Sequence, residues 1–189
     1  MKQLKLFLYA CIVSCFIASL SYAGLEPSTQ LAYQTKNIPG IGKVYEMATM
    51  QGSIYLANQP TESGLQELKK LNIKTFITLC PKDQAPFDEK VIVKKLGAHY
   101  VHIPLTINDL TLDTLKAFND AIQSAKHYPI FIHGKTVNEA AMMMALNNIT
   151  EYQAPVAIAI DEAKHYGLSD PKLIQFIQDT VKKYNLEKK

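Results

Sequence analysis

The residues best able to do chemistry lie in one short run, His133-Gly134-Lys135-Thr136-Val137-Asn138-Glu139, between the apolar stretch Ile130 to Ile132 and an alanine-rich stretch. A strand that turns tightly into a helix leaves the first backbone N–H groups of that helix unpaired, and those groups together with the helix dipole can hold an anion. Gly134, Lys135, Thr136, Val137 and Asn138 are therefore expected to form an anion-binding loop, with Gly134 free to take a positive φ. Lys135 adds a positive charge to it. Glu139 adds a negative one that disfavours an anion, unless the two pair with each other or both lie in solvent. His133, at the end of a buried strand, reads as a structural histidine satisfied by hydrogen bonds.

Cys80 ends a second apolar run, Thr75 to Leu79, on the same sheet edge. It precedes Pro81, lies at no helix start and has no nearby signal that would lower its pKa, so it reads as a buried structural cysteine and, less well, as a nucleophile. His99 and His102 do not make a convincing metal site, and His127 and His165 complete no ligand spacing. No metal and no cofactor is expected. Met142-Met143-Met144 reads as core filler, because consecutive residues point in different directions around a helix.

The elements that must hold these residues alternate along the chain. Short apolar strands are expected at Val44 to Ala48, Ser53 to Ala57, Thr75 to Leu79, His99 to Ile103 and Ile130 to His133. Between and after them, helices are expected at Thr61 to Leu71, Pro86 to Leu96 closed by Gly97, Thr111 to Lys126, Glu139 to Asn147, Pro155 to Tyr166 closed by Gly167, and Pro171 to Tyr184. Strand and helix in turn imply an α/β fold with a mostly parallel central sheet, and in such a sheet ligands bind beyond the carboxyl ends of the strands, where the His133 loop falls.

The chain opens on Lys2 and Lys5, an apolar run from Leu6 to Leu20 and the small-residue site Ser21-Tyr22-Ala23. That is the pattern of a secretory signal peptide, residues 1–23, and an apolar run 15 residues long falls short of the roughly 20 that span a bilayer as a helix. Export to the periplasm or outside the cell is expected, with no membrane attachment after cleavage. Residues 24–43, rich in proline and glycine, read as an irregular lead-in; 44–185 as one domain; 186–189 as a lysine-rich tail. Cleavage removes Cys11 and Cys15, which leaves Cys80 without a disulfide partner in the chain. It also removes two of the 20 basic residues, leaving 18 against 17 acidic ones, and so near-neutral a chain gives no electrostatic case for binding nucleic acid. All the basic residues are lysine, and with no arginine the chain has no planar two-pronged donor to offer a phosphate.

Four segments in order carry a resemblance to a known family: Ile54-Tyr55-Leu56-Ala57-Asn58-Gln59-Pro60-Thr61, Leu68 through Leu79, Tyr100-Val101-His102-Ile103-Pro104-Leu105, and Pro129-Ile130-Phe131-Ile132-His133. Together they resemble the bacterial dual-specificity and tyrosine-phosphatase-like family, which includes a domain often attached to β-lactamase-like hydrolases. The resemblance covers about Tyr45 to Ile177 and implies a cysteine-phosphatase-like three-layer fold, a mostly parallel central sheet flanked by helices. It also implies a loop of His-Cys, a few small or basic residues with a glycine, and an arginine near the helix start. His133 matches that pattern. Gly134 stands at the cysteine, Val137 at the glycine and Glu139 at the arginine. In this family a thiolate attacks the phosphate and the arginine clamps its oxygens, so glycine and glutamate at those places imply loss of the reaction. The general acid of related phosphatases comes from the region of Asp109; the alternative is that Asn108 or Asp109 caps the helix beginning near Thr111.

Three functional readings follow. The first is an exported pseudophosphatase, a binding module for a protein partner or a weakly bound anion. The second is an active phosphatase or other hydrolase with a non-standard site, at Cys80 or at His133 with Asp109. The third is a structural protein whose cleft has no role.

Overall fold

The computed structural model describes residues 34–123 and 128–186. The signal peptide, the first part of the lead-in, His127 and residues 187–189 of the tail lie outside the described residues. Among the described residues six strands form one sheet in the order β1-β2-β3-β6-β4-β5, with β1 at Gln34–Ile38, β2 at Gly42–Thr49, β3 at Gly52–Ala57, β4 at Thr75–Thr78, β5 at His99–His102 and β6 at Ile130–His133. The first three are joined antiparallel, whereas β3, β6, β4 and β5 run parallel. The parallel strands therefore end on one edge, and β6 lies between β3 and β4 with His133 level with Ala57 and Thr78.

Strand β1 corrects the reading of residues 24–43 as irregular throughout. Pro39 and Gly40 do not mark a lead-in but belong to the turn of a β1–β2 hairpin, and Gly42 opens β2 opposite Ile38. Gly40 has φ +75°, and a Cβ there would lie 2.4 Å from Thr61 Oγ1. The same turn packs against the next helix, since the Thr61 N–H donates to the Gly40 carbonyl at 2.8 Å.

Among the described residues six α-helices cover the sheet: α1 at Glu62–Leu68, α2 at Glu89–Lys95, α3 at Leu112–Gln123, α4 at Val137–Tyr152, α5 at Val156–His165 and α6 at Pro171–Tyr184. Alternation along the strands sends Ile54, Leu56, Ile77, Leu79, Ile130 and Ile132 into a large core under α3 to α6. Tyr55, Ala57, Phe76 and Phe131 go to a smaller core under α1 and α2. The result is the expected α/β sandwich of three layers, with a mostly parallel sheet flanked by helices. Helix α4 runs through the larger core, where Met142, Met143 and Met144 are all buried as filler. It begins two residues before the expected Glu139 and continues to Tyr152, because its interior is buried on nearly every side and shows no amphipathic boundary.

Candidate functional site

The loop forms where β6 passes into α4. His133 is fully buried, and its Nε2 lies 2.7 Å from Oε1 of Glu89, which is 4% exposed. The pair joins the end of the central strand to the first turn of α2. The imidazole Nδ1 faces the Gly134 carbonyl at 3.2 Å. His133 is thus the satisfied structural histidine expected from its place on the strand, and Glu89 is a partner that sequence reading missed, since 44 residues separate the two. A buried carboxyl and imidazole are tolerable only as partners, each meeting the other's hydrogen-bonding need.

The next residues are shaped by a capping box. Thr136 is the N-cap of α4 and Glu139 its third residue, and Glu139 folds back so that Oε2 accepts from the Thr136 backbone N–H at 2.9 Å and from the Thr136 hydroxyl. Glu139 therefore pairs with Thr136 and not with Lys135, which is exposed. The Val137 N–H donates to Asn58 Oδ1 at 2.9 Å. Two of the N–H groups expected to hold an anion are thereby engaged within the protein. Asn138, expected in the same set, turns away: its Oδ1 accepts from the Ser169 and Asp170 N–H groups at 2.7 and 2.9 Å, tying the loop to the start of α6. The signal for the box, Thr-x-x-Glu ahead of an apolar helix, was present in the sequence at Thr136 and Glu139.

Gly134 does not use its freedom to take a positive φ. Space is what requires glycine there: an added Cβ would lie 2.8 Å from the Glu139 Cβ, 3.0 Å from the Thr136 carbonyl oxygen and 3.1 Å from Glu139 Oε2. From Gly134 through Ala141 no residue carries a thiol or a guanidinium. The sequence reading set Glu139 in the place of the arginine; its side chain is spent on the helix cap, and Ala140 beside it is buried and apolar.

Cys80 lies beside the loop, 4% exposed, with its thiol donating to Gln59 Oε1 at 2.9 Å. Burial, reinforced by the negative charges of Glu89 and Glu139, pushes the thiol up to about 11. It is a hydrogen-bonded thiol in the wall of the site, consistent with its reading as structural. The Cys80 carbonyl is met by His102 Nε2 at 2.7 Å, which gives that histidine a structural role. Asp109 is exposed in a short 3₁₀ turn, Ile107–Asp109. The cap expected from Asn108 or Asp109 is supplied instead by Thr111, whose hydroxyl accepts from the Thr114 N–H at 3.1 Å. Among the described residues no three His, Cys, Asp or Glu side chains gather as a metal site, and no helix is long and apolar enough to cross a membrane.

This arrangement of a mostly parallel sheet with helices on both faces is similar to that of solved phosphatases. The structure of P. aeruginosa TpbA superposes with a TM-score of 0.63 at 16% identity, over 84% of this chain and 94% of that one. The present chain has the tyrosine and dual-specificity phosphatase fold. A second TpbA structure, in complex with phosphotyrosine, matches with a TM-score of 0.60 at 15% identity, over 80% of this chain and 89% of that one. The Siw14 catalytic core gives 0.56 at 14% identity, over 82% and 97% of the two chains. No family model matches the sequence, and no curated protein matches it. The likeness is one of fold, carried by arrangement at 14 to 16% identity.

Proposed function

We propose that this protein is an exported pseudophosphatase, a binding module that keeps the phosphatase fold and has given up its chemistry. The observation that carries the reading is the loop itself. A cysteine phosphatase needs a thiolate to attack phosphorus and a guanidinium to clamp the equatorial oxygens, and the run from Gly134 through Ala141 supplies neither, its one cation being the exposed point charge of Lys135. The neighbouring groups do not replace them. The Cys80 thiol keeps its proton well past neutral pH, and the buried His133 is committed to Glu89. The reading as an exported protein is supported by Lys2, Lys5, the apolar run Leu6 to Leu20 and the site at Ala23, and predicts a processed chain beginning at Gly24 by mass spectrometry.

The deciding assay is hydrolysis of an aryl phosphate by the purified protein. The expected rate is that of buffer alone. Turnover that disappears in Cys80→Ala would sink the pseudophosphatase reading and establish a displaced nucleophile, while turnover that survives that substitution would direct attention to His133 and Asp109.

A further inference from the structure

We infer that the Glu139 carboxylate is a latch that holds the loop contracted over position 134, so that the loop is closed by an anion of its own. This goes beyond the loss of phosphatase chemistry, because it concerns the shape of the loop and not merely the absence of cysteine. Three observations meet at the same place. The carboxylate accepts both the backbone N–H and the hydroxyl of Thr136. The contraction brings Glu139 and the Thr136 carbonyl so near residue 134 that a Cβ would stand 2.8 to 3.1 Å from three of their atoms. Contacts under 3.0 Å to a helix-borne Cβ are not relieved by rotating a flexible side-chain end, so the loop backbone must move to admit any side chain. Glycine at 134 is therefore a consequence of the latch, since its φ does not require it.

The latch also accounts for the neighbouring polar groups. The Val137 N–H is taken by Asn58 and the Thr136 N–H by Glu139, so two of the donors at the start of α4 are engaged from within the chain. Burial and Glu89, with Glu139 adding to them, raise the Cys80 thiol pKa, so the thiol beside the loop stays neutral and the carboxylate is not opposed by a thiolate. A small oxyanion entering there would have to displace Glu139 and would meet its charge.

A double-mutant cycle on the purified protein tests the latch through thermal unfolding. Gly134→Ala should lower Tm by roughly 3–8 °C in the parent chain, the range expected for overpacking in a domain of this size. In the Glu139→Ala background, where the tie to Thr136 is gone and the loop can relax, the same substitution should lower it by less than half as much. Equal losses in the two backgrounds would overturn the latch. Should Gly134→Ala alone fail to fold, recovery of folded protein on adding Glu139→Ala supports the latch, and no recovery overturns it. Inorganic phosphate at millimolar concentration should leave the parent Tm unchanged; a phosphate-dependent rise would show that an oxyanion displaces the carboxylate, and would also overturn it. Aryl-phosphate turnover, by contrast, would defeat the pseudophosphatase reading without altering the cycle, so the two failures are separable.

Discussion

At the residue scale, the wall of the site is set by how its buried polar groups are partnered. Cys80 donates to Gln59, and burial together with Glu89 and Glu139 pushes its thiol up to about 11, whereas an ordinary thiol titrates near 9. The native chain therefore keeps the proton after the unfolded chain has begun to lose it. Stability from this group is fully present below about pH 9 and is lost as pH rises toward 11, by up to about 2–3 kcal/mol. Comparing urea unfolding of the parent and Cys80→Ala from pH 8 to 10.5 isolates that dependence, because lysines and tyrosines titrate in both. The parent should lose stability faster, and parallel curves would show that the thiol is not held protonated. The same argument predicts slow alkylation of the folded protein by iodoacetamide at pH 8.

At the element scale, the loop is held by ties that reach it from other elements. Asn58, just after β3, supplies the acceptor for the first N–H of α4, and Asn138 docks the loop on the start of α6. Asn58→Ala should cost about 1 kcal/mol, a fall in Tm of roughly 2–4 °C, while Asn58→Asp keeps an acceptor and should cost less. Equal losses for the two would show that the hydrogen bond contributes nothing. The strands and helices were legible in the sequence wherever burial imposed a period, as in Thr75 to Leu79 or Pro171 to Tyr184. Strand β1 was not, because Gln34-Thr35-Lys36-Asn37-Ile38 is largely exposed and has no apolar alternation; its pairing with β2 is what makes it a strand. Likewise His133 could be read as a buried structural residue, but its partner Glu89 could not, since that contact exists only once α2 packs over the end of β6. Glu139 shows the opposite limit. The capping box was visible at Thr136 and Glu139, and the family pattern drew attention to what Glu139 replaces instead of what it binds.

At the scale of the whole molecule, the two cores share one sheet. Ile54, Ile77 and Ile132 face the large cluster, while Tyr55, Phe76 and Phe131 on the same strands face the smaller one. The helices over the smaller core, α1 and α2, have seven residues each. Helices that short are marginal in water, so their order depends on burying Leu65, Leu68 and Val93 against the sheet. Removing the sheet must therefore dissolve that layer, and loosening the layer must expose the aromatic face of the sheet. Single cooperative unfolding is the expected consequence, even though no disulfide links the layers among the described residues. The chain has no tryptophan but ten tyrosines. Tyr55 lies in one core and Tyr166 in the other, so tyrosine absorbance follows both sides of the sheet while far-ultraviolet circular dichroism follows the backbone. The two urea transitions should coincide, and amides of the shared strands β3, β4 and β6 should exchange with deuterium only through that same global opening. An earlier transition by either probe, with faster exchange confined to α1 and α2, would mean that the smaller core opens alone. Because Glu89 ties α2 to His133, such an opening would free the base of the loop as well.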